Sequence, residues 1–242
     1  MICDQNKLEG EIQCDQFFFT GKINLDSSKT LYEKGNYPDS YRLFIESVEK
    51  IAKAFEIFWE EKPLSDDVLK EKIGHDVIKI YRRRLYKISM MLKSDKMFKE
   101  LFDCVNDIFC IEKNMNIMTS LIESILEDKM YIINISEEFL DQLIDYSDRY
   151  YEILKIRQMN KDMHEISINL MKKLYISSSI FILSFITLHH YEITRYPDKK
   201  YNISPEIYTN EFPVINKLPK LFTILENVIH EFEELKTKRK TI

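Results

Sequence analysis

The chain has 242 residues, 45% of them hydrophobic and 31% charged, with 35 basic against 40 acidic side chains and a formal net charge of -5. That balance excludes a disordered tail, a collagen-like repeat and a strongly basic nucleic-acid coat, and the length is enough to bury a full core. Four glycines and six prolines leave few places for hairpins or a glycine-rich phosphate loop, so helices are favoured over a strand sandwich or a dinucleotide-binding unit.

Residues 1–26 show no helical hydrophobic period and read as a short irregular N-terminal arm, with Phe17, Phe18 and Phe19 packed on the body or forming a short strand. From Ser27 onward the chain reads as one helical domain over residues 27–242. Ser27 or Ser28 caps a short helix through Lys34, and Gly35 supplies the left-handed residue that ends it. After the turn at Asn36, Tyr37 and Pro38, a helix from Asp39 to Glu61 carries Tyr41, Phe44, Ile45, Val48, Ile51, Ala52, Phe55 and Phe58 on one stripe. Pro63 stops it. Ser65 opens a short helix that closes near Gly74, and His75 begins another bearing Val77, Ile78, Tyr81, Leu85, Ile88 and Leu92 with a central Arg82, Arg83, Arg84 patch.

Further helices are expected over 94–113, 116–133, 136–157, 162–191 and 217–235, with Asn134 and Glu137 at capping-box spacing before the third of these. Pro197, Pro205 and Pro213 make 192–216 mostly loop, and Lys236, Lys238, Arg239 and Lys240 read as a solvated tail. The uncharged run Leu174 to Leu188 is shorter than the roughly 20 residues of a bilayer crossing and contains four serines and one threonine, so it reads as a helix in the middle of a bundle. No secretory leader is visible, and the four cysteines, Cys3, Cys14, Cys104 and Cys110, lack metal-ligand spacing; a cytoplasmic chain with reduced thiols, no metal and no cofactor is expected.

Three segments contain residues suited to a polar site. Glu49 and Lys53 are four apart beside the apolar stripe, either as a solvated ion pair or facing a cleft. His75, followed by Asp76 and then Lys79, stands at a helix N-terminus. The dipole there favours a neutral imidazole and a nearby anion, although a helix-capping or turn histidine is the commoner outcome for such a residue. Arg195, Tyr196, Pro197 and Asp198 combine a bidentate anion binder, a stacking ring and a fixed turn, or else form an Arg-Asp clamp.

These segments resemble the HEPN (higher eukaryotes and prokaryotes nucleotide-binding) superfamily, possibly its AbiV-like abortive-infection branch. Gly35-Asn36-Tyr37-Pro38-Asp39-Ser40, continuing through Glu49-Lys50-Ile51-Ala52-Lys53-Ala54, is similar to its "G-Y-x-x-A … A-x-E-K-x-x-K-A" helix pair, with Ser40 in place of the usual alanine. Gly74-His75-Asp76-Val77-Ile78-Lys79-Ile80 resembles "G-H-D-L-x-K-L", and Arg195-Tyr196-Pro197 resembles the "R-Y-P" near the end of many members. The order along the chain agrees, and the stretch over about 94–173 is unmatched and reads as an insertion of extra helices.

The resemblance implies an all-α HEPN-type bundle, a homodimer, and binding of a nucleotide or RNA. It further implies a toxin-antitoxin or phage-defence setting, with an antitoxin or nucleotidyltransferase as partner and no membrane. Lys53, His75, Lys79, Arg195 and Tyr196 would line the phosphate site, supported by Glu49, Asp76 and Asp198. Catalytic HEPN ribonucleases carry an Arg followed after four to six residues by His, which work without metal; Arg157 and His164 match that spacing. Roughly half such a match is expected by chance at this composition, Gln158 departs from the family's usual Asn or Asp, and members with the R-Y-P form often lack the nuclease pair. Binding is therefore expected ahead of cleavage. A third reading is a non-enzymatic interaction module in which the early helix pair packs on a partner or on itself, with Phe44 as its test position.

Overall fold

A computed structural model describes residues 2–65, 67–69, 135–159, 165–187, 190–197 and 203–240. Among these there are six helices: α1 (Ile2–Glu33), α2 (Tyr37–Glu60), α3 (Glu137–Met159), α4 (Glu165–Thr187), α5 (His190–Ile193) and α6 (Pro213–Lys240), with a 3-10 turn at Pro205–Ile207. The all-α bundle expected from the sequence is what the chain forms.

The N-terminal segment corrects the sequence reading. Residues 2–33 are one continuous helix rather than an irregular arm followed by a short helix, and no boundary falls at residue 26. The reason lies in what α1 buries. Its inner face is Gly10, Cys14, Phe18, Gly21, Leu25 and Ser28, mostly small or polar, while Leu8, Ile12, Phe19 and Ile23 are exposed on the other side. A helix with apolar groups on two faces and small groups at its contact has no single hydrophobic stripe to detect.

α1 and α2 form an antiparallel hairpin whose seam is built from small residues seven apart: Cys14, Gly21 and Ser28 on one helix meet Ala54, Ser47 and Ser40 on the other. Ser28 and Ser40 exchange hydroxyl-to-carbonyl hydrogen bonds of 2.6 and 2.8 Å, and the Ser47 hydroxyl donates to the Gly21 carbonyl at 2.7 Å. The Cys14 thiol donates to the Ala54 carbonyl at 3.3 Å. A Cβ added at Gly21 would lie 2.7 Å from the Ile51 terminal methyl, and one at Gly10 would lie 2.9 Å from the backbone carbonyl carbon of Lys62. Small side chains let the two backbones approach, and the seven-residue repeat keeps them facing along the whole hairpin.

The turn between them is the one expected. Gly35 has φ +75°, and the Gly35 and Asn36 amides donate to the Tyr32 and Leu31 carbonyls at 2.9 Å, closing α1 as a Schellman motif. Pro38 then sits in the first turn of α2, where its missing N–H costs nothing. α2 ends at Glu61 in the left-handed region, φ 58°, just before Pro63.

α3 and α4 make a second antiparallel pair, and α6 packs between the two hairpins, parallel to α2 and α3. Phe44 meets Phe222 at one level, and Phe55 and Phe58 meet Phe232 further along. The Ser136 hydroxyl caps α3 by accepting the Phe139 amide at 3.2 Å, whereas Asn134 lies outside the described residues. α4 contains the stretch Ile168–Thr187, twenty residues long and apolar enough to cross a membrane by length and composition, of which 78% is buried inside the bundle. α6 is longer than the sequence suggested. Its basic end is not a solvated tail: Lys236 pairs with Asp15, Lys238 with Glu165 at 3.3 Å, and Arg239 with Glu61 at 2.5 Å.

Candidate functional site

Opposite its buried stripe, α2 carries Asp39, Arg42, Glu46, Glu49, Lys50 and Lys53 at intervals of three and four, which places them on one helix face. Glu46 is the hub. Its Oε1 accepts from Arg42 at 3.0 Å and from the Arg195 guanidinium at 2.8 Å, so one carboxylate bridges two cations. Two turns further on, Lys53 donates to Glu49 at 2.5 Å and lies 5.8 Å from the Phe17 ring centroid, its side chain only 14% exposed. The sequence left Glu49 and Lys53 as either an ion pair or cleft residues; they are paired, and the pair is largely covered.

Arg195 arrives from the turn after α5. That turn is fixed by a buried aromatic cluster: the His190 Nδ1 and the Tyr208 hydroxyl are 2.8 Å apart, and the Tyr41, Tyr208 and Phe212 rings surround the imidazole. The Tyr41 hydroxyl donates to the Ile186 carbonyl at 3.1 Å, tying α2 to the end of α4. Burial pushes the Tyr41 and Tyr208 phenols well above the ordinary tyrosine range, so both stay protonated and able to donate. Thr194 is buried, and the next residue but one, Tyr196, is 69% exposed. The structure thus brings the R-Y-P turn onto the polar face of α2 that also bears Glu49 and Lys53. His75, Asp76, Lys79 and Asp198 lie outside the described residues, as do the Arg82, Arg83, Arg84 patch and His164.

Arg157 stands elsewhere. Its neighbour Gln158 donates to Glu231 at 3.0 Å, whereas Glu46 follows Phe44, which packs on Phe222. From Phe222 to Glu231 is about 13 Å along α6, so Arg157 and the Arg195 turn belong to different levels of the bundle.

Sequence reasoning missed a buried ionic group at that second level. Lys172 on α4, 2% exposed at its side chain, pairs with Glu231 of α6, 1% exposed, at 2.9 Å and with Glu234. The hydrogen bond from Lys172 holds the Glu234 carboxyl below its usual range. Glu56 of α2 is also buried. A readable signal existed: Lys172 sits in a helix that is apolar all round, and Glu56 continues the spacing of Val48 and Ala52 along the buried stripe. A charge in such a place requires a partner. Close by, Lys173 lies 5.2 Å from the Trp59 ring centroid, and burial, with Arg239 nearby, keeps its ammonium below the ordinary lysine range.

An open cleft of about 420 Å³ lies at this end of the bundle, between Gly10, Cys14, Phe58 and Arg239. Arg239 also donates to the Phe58 carbonyl at 2.8 Å, and Lys236 is held by Asp15, so these two cations of the cleft are engaged within the fold. Among the described residues no group of three or more His, Cys, Asp or Glu side chains is placed to hold a metal ion.

No family model matches the chain, and no curated protein and no solved structure matches it either. The likeness to HEPN domains stays a resemblance carried by the three sequence segments.

Proposed function

We propose that the chain binds a nucleotide or an RNA strand through phosphate, with the Arg195 guanidinium and the Tyr196 ring as the ligand-facing groups. The observation that carries this reading is the 2.8 Å bond from Arg195 to Glu46, which fastens the R-Y-P turn to the helix bearing Glu49 and Lys53. A guanidinium has five N–H donors in a fixed plane, a geometry suited to holding carboxylate and phosphate oxygens, and Glu46 orients it. Tyr196 offers an exposed π-face of the kind on which a base stacks. Lys53, His75 and Lys79 complete the lining in this reading, with Asp76 and Asp198 as supports. The HEPN resemblance adds a toxin-antitoxin or phage-defence setting, with an antitoxin or nucleotidyltransferase as protein partner.

The test is equilibrium binding of fluorescent ATP and of a labelled single-stranded RNA. Arg195→Ala weakens binding at least about tenfold, the size of one lost charge-assisted contact, and Tyr196→Ala weakens it further. Affinity falls as salt rises, because a chain of net charge -5 must bind through a local patch. No binding of either probe at low salt, or equal affinity in the Arg195→Ala, Tyr196→Ala double variant, contradicts the reading.

A further inference from the structure

The first turns of α4 carry two polar groups that the fold leaves unmatched. The Asn169 Oδ1 is buried and has no hydrogen-bond partner among the described residues. One turn further on, the Lys173 ammonium is partly buried against α2, 5.2 Å from the centroid of the Trp59 ring. Among the described residues no carboxylate is paired with it, because those on the neighbouring elements are engaged elsewhere: Glu61 with Arg239 at 2.5 Å, Glu165 with Lys238 at 3.3 Å, and Glu231 and Glu234 with Lys172. Burial, and after it the neighbouring Arg239, disfavour the charge on Lys173, with Glu61 compensating only in part. An anion at Lys173 would relieve all of this at once.

We infer that Asn169 and Lys173, backed by Trp59 and Arg239, form a site for a small oxyanion, a phosphate or a carboxylate. Residues four apart share a helix face with their Cβ atoms about 5–6 Å apart, and helical side chains lean toward the N-terminus, so Lys173 reaches back over Asn169. A carboxamide turned about its terminal torsion presents an N–H where its oxygen stood. One oxyanion then accepts from the amide and from the ammonium, at charge-assisted distances of about 2.8 Å, and both groups gain the partner they lack. An ammonium is a point charge rather than a planar fork, so the site selects for negative charge and small size more than for shape. Lys173, Trp59 and Arg239 are each partly exposed, which leaves the way in from solvent open. The site is separate from the nucleotide reading, since Trp59 lies about 20 Å along α2 from Glu46, which holds Arg195.

Trp59 is the one tryptophan of the chain, so its emission reports on this site directly. The full chain is titrated at pH 7 with sodium phosphate, with sodium acetate and with sodium chloride, ionic strength being held constant across the series. A saturable change in Trp59 emission with phosphate, with acetate or with both supports the inference and says which oxyanion the site takes. No saturable change with either up to about 50 mM, a concentration that fills a site of about 1 mM dissociation constant, overturns it, as does an equal response to chloride. Lys173→Gln moves the midpoint up at least about tenfold, the loss expected for one charge-assisted contact. Asn169→Asp places a carboxylate one turn before Lys173, the favourable order for such a pair; the internal carboxylate takes the anion's place, so the response disappears while the melting temperature is no lower than that of the native chain. An Asn169→Asp chain that keeps the native midpoint overturns the inference. Arg195→Ala leaves the midpoint where it was; a midpoint that moves with Arg195 would assign the response to the other site and overturn this one.

Discussion

The two halves of the bundle solve close packing in opposite ways. The α1–α2 hairpin brings backbones together over Cys14, Gly21 and Ser28 against Ala54, Ser47 and Ser40, and fastens them with hydroxyl and thiol bonds to main-chain carbonyls. The α3–α4–α6 half packs large side chains and places an ionic group, Lys172 with Glu231, in their midst. In the first the seam is sterically strict and electrostatically neutral; in the second it is voluminous and depends on a pair of charges. Each half should therefore fail by a different kind of substitution.

The largest effect is expected in the ionic half. Lys172→Met strands the Glu231 carboxylate in the core and costs about 3–5 kcal/mol in urea unfolding, the usual penalty for breaking a buried pair from one side. Adding Glu231→Leu recovers most of that loss, since an apolar replacement of both partners is often neutral or better. A double variant as unstable as the single one would show that the charges organise the packing beyond neutralising each other.

Next comes the hairpin. Gly10→Ala sets a methyl group against the Lys62 backbone and costs about 1–2 kcal/mol, at the low end of overpacking penalties. Gly21→Ala crowds the Ile51 side chain at 2.7 and 2.9 Å, with the Ile51 backbone nitrogen no nearer than 3.4 Å; a shift of that side chain relieves the contact, and the gain in helix propensity of about 1 kcal/mol offsets part of the cost, so the loss is smaller than at Gly10. Equal losses at the two glycines would mean that the backbone approach is not what distinguishes them. Ser47→Ala removes one buried hydrogen bond and costs about 1 kcal/mol.

The smallest effect separates the halves by pH. Glu234 is held below its ordinary value of 4.5 by the hydrogen bond from Lys172. Its contribution to stability is complete above the unfolded carboxylate range and disappears as pH falls through the lower folded value. Glu234→Gln therefore flattens the acid limb of a stability–pH curve between neutrality and about pH 3, while Ser47→Ala shifts the whole curve down without altering its slope.

How much of this was legible in the sequence follows from the same contrast. α2 and α4 bury large apolar groups in long stripes or all round, so their existence and approximate bounds could be read directly. Gly35 and Pro38 likewise announced the turn they make. α1 could not be read, because its seam with α2 is glycine, cysteine and serine, only Phe18 and Leu25 are large groups on its buried face, and Leu8, Ile12, Phe19 and Ile23 lie on the opposite one; a search for small residues at seven-residue intervals finds it where a search for hydrophobic ones does not. The site was partly legible: Arg195 and Tyr196 stood out by residue type, and Glu49 and Lys53 by spacing. Glu46 did not stand out, since a glutamate on a polar helix face carries no mark until the guanidinium that meets it, 149 positions away, is in place. The Lys172 group escaped because Glu231 is distant in sequence and neither residue breaks its helix.

The central claim, a phosphate ligand held by the Arg195 turn with His75 and Lys79 proposed to complete its lining, is tested most directly by photo-cross-linking an azido-adenine nucleotide to the chain and mapping the modified peptides. The account predicts that one bound nucleotide labels both the Tyr196 peptide and the peptide containing His75 and Lys79, and that unlabelled nucleotide suppresses both together. Labelling confined to other surfaces, or of one of these peptides alone, would contradict it.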